Sequence, residues 1–125
     1  MKNFIFKNFV SIVLSMFCLN GNANAIGKAY VFGFDIERMT GIPEHQIEEY
    51  GCLYKISGLK FISLLKSETS PAKYIKLDIR AKVIFNNKVY FIDRFGVVRS
   101  DTKFFSIDTT KFMLLLIGKG KCPRR

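Results

Sequence analysis

Between residues 73 and 99 the chain alternates apolar and charged positions: Ile75, Leu77, Ile79, Ala81, Val83 and Phe85 are interleaved with Lys76, Asp78, Arg80 and Lys82. A period of two sends these rows to opposite faces of a sheet, so the pattern predicts one long, half-buried strand. Asn86-Asn87 tolerates the positive φ of a two-residue hairpin turn, and residues 89–92 return as the partner strand. The run Asp93-Arg94-Phe95-Gly96 reads as a second turn, with Gly96 in the left-handed position, and a third strand begins at Val97.

Register decides what each face carries. With Asn86 and Asn87 as the turn, Val83 faces Tyr90, Ala81 faces Ile92, Lys82 faces Phe91, and Arg80 faces Asp93 as a cross-strand ion pair. A three-residue loop would reverse the faces. On the two-residue register the face opposite the core holds Ile84, Val89 and Phe91 flanked by Arg80 and Lys82, with Arg94 and Arg99 at the rim. These seven residues are the expected partner-binding patch, either open to solvent or covered by a helix.

Elsewhere the pattern predicts a strand over residues 28–34 and a short helix that Pro43 opens and Gly51 ends. Two segments repeat one another: residues 56–65 (ISGLKFISLL) and 107–116 (IDTTKFMLLL) share Ile, Lys, Phe and both final leucines. Ser57 and Asp108 are N-caps, and the isoleucine before each cap can staple to the phenylalanine at the fourth helical position. The expected helices run over 58–66 and 109–117, the second apolar on nearly every side and suited to burial between layers or to a dimer contact. The repeat has two readings, duplication or convergence on one capping pattern. Together the elements predict a single α+β domain over residues 26–125, a mostly antiparallel sheet on the long central hairpin with helices packed on one face.

Residues 1–25 have the three parts of an export signal: Lys2 and Lys7, an apolar run over 9–19, and Ala23-Asn24-Ala25 as a small-x-small cleavage site. The run is shorter than the roughly 20 residues a bilayer span needs. Phe17 before Cys18 does not suit lipoprotein processing. The expected location is periplasmic or secreted. Removing Lys2 and Lys7 from a chain of formal net charge +10 leaves +8, which favours an anionic or acidic partner. Two cysteines remain, Cys52 and Cys122, and an oxidising compartment predicts that they form one disulfide.

Chemistry-bearing groups are sparse. His45 is the only histidine and sits among Glu44, Glu48 and Glu49, a pattern of a solvated helix face more than of a metal or acid–base site. No nucleophile elbow and no phosphate-binding glycine loop occur in the right setting. The sequence therefore predicts no catalytic residues, no metal and no cofactor. The expectation is an exported basic binding protein of the inhibitor or immunity type that covers an acidic site on an enzyme or toxin. The alternatives are a cationic module for an anionic envelope polymer, lipid head group or nucleic acid, and a non-catalytic subunit of an envelope assembly. Basic residues are spread along the chain and not packed in one arm, which argues against nucleic acid.

Overall fold

The computed structural model describes residues 26–35, 41–66 and 70–123; the expected export signal and Cys18 lie outside them. Seven strands form one antiparallel sheet: β1 (Ile26–Val31), β2 (Cys52–Ser57), β3 (Ile79–Phe85), β4 (Lys88–Asp93), β5 (Val97–Ser100), β6 (Lys103–Ser106) and β7 (Leu116–Lys121). Their order in the sheet is β6-β5-β4-β3-β1-β2-β7. Among the described residues three short α-helices accompany them: α1 (Ile47–Tyr50), preceded by a 3-10 turn over Glu44–Gln46, α2 (Gly58–Leu64) and α3 (Thr109–Met113).

This corrects the expected α+β class. The described residues are mostly strand, with only about 24% in helix. The largest departure is the last segment, where a nine-residue apolar helix was expected. The Leu114 N–H already bonds back to both Thr110 and Lys111, and the Leu115 N–H to Phe112, so the helix tightens and stops. The chain then runs on as β7, an edge strand whose backbone pairs with β2 and whose end is tied there by the Cys52–Cys122 disulfide. Helices on one face is also corrected. α2 and α3 share one face, while Ile47 of α1 packs on the other against Ile42 and Ile79.

The hairpin registers as the two-residue turn requires. Asn86 and Asn87 have φ of 56° and 64°, and Val83 faces Tyr90, Ala81 faces Ile92 and Lys82 faces Phe91. The strand begins at Ile79, however, and not four residues earlier. A bulge between Ile79 and Ala81 sets Ile79 opposite Asp93 and leaves Arg80 as the extra residue. The expected Arg80–Asp93 pair is thereby replaced: the Arg80 Nε donates to Asp78 at 3.0 Å and its Nη1 to the Gly33 carbonyl at 3.1 Å. Asp93, fully buried, instead accepts the N–H groups of Ile75, Phe95 and Val97, each at 2.9 Å. Those bonds fold residues 75–78 into a turn, and Gly96 takes the left-handed conformation (φ 84°).

Both capped helices form where the repeat places them. The Ser57 hydroxyl accepts the Lys60 N–H at 3.3 Å and the Asp108 carboxylate accepts the Lys111 N–H at 3.1 Å. Ile56 with Phe61, and Ile107 with Phe112, are buried in one core, and the two phenylalanine rings meet edge to face at 5.9 Å. Truncating either ring would cost roughly 3–5 kcal/mol. The two units also pair reciprocally. Ile56 and Ile107 differ by 51 positions; Lys55 pairs with Ile117, and its counterpart Ser106 pairs with Lys66, the counterpart of Ile117. Residue i meeting j while j meets i is how two copies of one unit pack about a twofold axis.

That reciprocity curls the sheet. Flat, β2 and β6 would stand five strand spacings apart, about 24 Å. The link from Ser57 to Lys66 is a seven-residue helix, about 10 Å long, plus two extended residues. The sheet must therefore bend toward α2 and α3. The concave side holds Ala29, Val31, Ala81, Val83, Ile92 and Val98 around the two phenylalanines.

Candidate partner-binding surface

The convex face follows from the register. One row across it reads Phe104, Arg99, Phe91, Lys82, Tyr30, Leu53 and Lys121 on successive strands. The adjoining row reads Val89, Ile84, Lys28, Lys55 and Ile117. Residues paired this way have side chains close enough to interact.

The first row is capped at one end by the segment that carries α1. Phe91 lies between two cations, with the Lys82 Nζ 5.4 Å and the Arg99 Cζ 5.2 Å from its ring centre. Each cation is held from above by a glutamate. Lys82 pairs with Glu48, and Arg99 binds both carboxylate oxygens of Glu44 at 2.7 and 2.8 Å. Tyr74 donates its hydroxyl to the same carboxylate at 2.5 Å. Burial works to raise the Glu44 carboxyl, but the hydrogen bonds from Arg99 and Tyr74 and the charges of Arg99 and Lys76 outweigh it and hold its pKa below the usual range. The Arg99 guanidinium is raised by its bond to Glu44, and the Tyr74 phenol by burial and then by that carboxylate. His45 lines the same shallow pocket.

The expected patch is thus distributed over three settings. Lys82, Phe91 and Arg99 come together beneath Glu44 and Glu48. Ile84 and Val89 are neighbours on the adjoining row, half-buried and exposed. Arg80 and Arg94 belong elsewhere: both bind Asp78, at 3.0 and 3.1 Å, and Arg80 is fully buried beside the Phe32 ring.

Of the adjoining row, the sequence marks Ile84 and Val89 but not Lys28 and Lys55. Lys28 and Lys55 stand directly opposite one another, both exposed, and no carboxylate lies in their row. Among the described residues neither takes part in an ion pair. Opposed like charges destabilise a sheet, so nothing in the stability of the fold calls for the pair. Apolar side chains flank it, with Ile84 and Val89 on one side, Ile117 on the other, and Ile26 two residues before Lys28 on the same strand. An open groove of about 520 Å³ runs beside it, rimmed by Lys119 and Lys121. Alternation alone marks Lys28 and Lys55 as outward-facing. Only the β1–β2 register, spanning 27 positions, brings them together.

Among the described residues no cluster of His, Cys, Asp and Glu side chains could hold a metal ion, and no helix is long and apolar enough to cross a membrane. No family model, no curated protein and no solved structure matches this chain.

Proposed function

We propose that the protein is an exported, non-catalytic binding protein of the inhibitor or immunity type, whose convex sheet face covers an acidic site on a protein partner. The observation that carries this reading is the opposed pair Lys28 and Lys55 between half-buried Ile84 and exposed Ile117, on the half of the face that α1 leaves open. Positive charge speeds encounter with an acidic surface, and desolvated apolar anchors supply the affinity. The apolar flanks favour a protein partner over an anionic polymer, which would need only the charges. Lys82 and Arg99, already neutralised by Glu48 and Glu44, form the border of this surface with Phe91 between them.

The reading is tested by capture from envelope and secreted fractions at low and moderate salt, with the wild-type chain beside Lys28→Ser/Lys55→Ser and Val89→Asp/Ile117→Asp. The expected result is one stoichiometric acidic protein that survives the salt step and is lost in both variants. Anionic material that washes off with salt, recovered equally by the Val89→Asp/Ile117→Asp variant, would make the charge itself the function.

A further inference from the structure

The concave side opens at one end into a cleft of about 560 Å³, within the range of small-molecule sites. Three lysines from three segments line it: Lys66 after α2, Lys88 at the start of β4 and Lys103 at the start of β6. The registers Phe91 with Arg99 and Ile92 with Val98, continued one step, set Tyr90 opposite Ser100, and Ser100 pairs with Lys103. Tyr90, Ser100 and Lys103 therefore share the inward-facing side of the sheet that elsewhere carries Ile92, Val98 and Phe105. Lys88, two residues before Tyr90, has the same parity.

All three lysines are exposed at the mouth of the cleft, so their ammonium groups are solvated and free to meet a ligand there. Among the described residues none of the three takes part in an ion pair. Asp101 is the one carboxylate in the lining, which leaves a net charge of +2. Tyr90 is only 6% exposed and lines the same opening, with Leu65 and Phe105 giving apolar walls. Burial, and then the charge of Asp101, keep its phenol above the usual range, so it stays protonated and able to donate.

We propose that this cleft binds a small phosphomonoester carrying an apolar group, the phosphate held by Lys66, Lys88, Lys103 and the Tyr90 hydroxyl and the apolar group lying against Leu65 and Phe105. A phosphomonoester carries close to two negative charges at neutral pH, which matches the lining. Three cations from separate elements can surround its oxygens. The site lies on the face opposite the proposed partner surface and does not depend on it.

The test titrates the full, disulfide-bonded chain with hexyl phosphate, hexanol and inorganic phosphate, followed by backbone amide NMR shifts. Hexyl phosphate should saturate, with the largest shifts at Tyr90, Ser100 and Lys103 and an affinity at least about tenfold above either fragment, because both charge and apolar contact count. Lys66→Ser/Lys103→Ser should weaken it about tenfold or more, while Lys119→Ser/Lys121→Ser leaves it unchanged. If the first double variant does not fold, Tyr90→Phe decides, with an expected loss of several-fold from one missing donor. Absence of saturation, equal affinity for hexyl phosphate and inorganic phosphate, or an unchanged affinity in the variant that folds would overturn the proposal.

Discussion

Asp93→Asn replaces the acceptor around which two turns are built. Oδ1 of Asp93 takes the N–H groups of Phe95 and Val97, and Oδ2 takes that of Ile75, all at 2.9 Å. An asparagine can keep its carbonyl oxygen on Phe95 and Val97, which leaves its NH2 facing the Ile75 N–H, donor against donor. One charge-assisted bond is lost and one backbone donor is stranded, together about 3 kcal/mol. Part of this returns because the buried carboxylate no longer has to be desolvated; burial raises the Asp93 pKa in spite of its three N–H donors. The net expectation is a loss of about 2 kcal/mol, roughly 10 °C in Tm for a domain of this size. Urea denaturation measures the loss, and amide exchange locates it: Ile75 should lose protection while Phe95 and Val97 keep theirs. A change below about 0.5 kcal/mol, or equal loss of protection at all three amides, would refute the reasoning.

Replacing Cys52 and Cys122 by serine opens a loop closed over 70 positions and should cost about 4 kcal/mol on the chain-entropy account, with β7 losing amide protection before β3 or β4. Ser57→Ala and Asp108→Ala should each cost about 1 kcal/mol in urea denaturation, since each removes one cap bond from the same kind of helix start. Glu44 has a lowered pKa in the folded protein, so the stability it contributes is fully present above the unfolded glutamate value of about 4.3 and is lost as pH falls through the folded value. Asp93, with its raised pKa, acts in the opposite sense, so the difference between wild type and Glu44→Gln isolates Glu44: the stability gap between them should narrow on acidification below pH ~4, measured by urea melts across that range.

What the sequence made legible was local. Asn86-Asn87 specified a turn, the turn specified parity, and parity separated Val83 and Tyr90 from Lys82 and Phe91. The caps at Ser57 and Asp108 fixed both helix starts because a cap and its staple lie within six residues. Helix ends were not legible. Leu114 to Ile117 is an apolar run that suits a helix, and only pairing with β2, distant in sequence and joined by the disulfide, makes its second half a strand. The start of β3 departs from the pattern for a similar reason: Ile75 and Leu77 continue the alternation, but Asp93 captures the Ile75 N–H and bends the chain. The candidate surface was half visible. Alternation points outward at Lys82, Ile84, Val89 and Phe91, yet the cover over Lys82 and Phe91 comes from Glu44 and Glu48 more than 30 positions earlier, and the lysine pair depends on the pairing of two further strands, β1 and β2.

The most direct measurement is the acylation rate of individual lysines, read by mass spectrometry on the chain alone and in complex with its captured partner. A partner seated on the convex face should slow Lys28 and Lys55 strongly and leave Lys60, exposed on α2 on the concave side, unchanged. Equal reactivity of Lys28 and Lys55 in the free and bound chain would contradict the account and move the interface elsewhere.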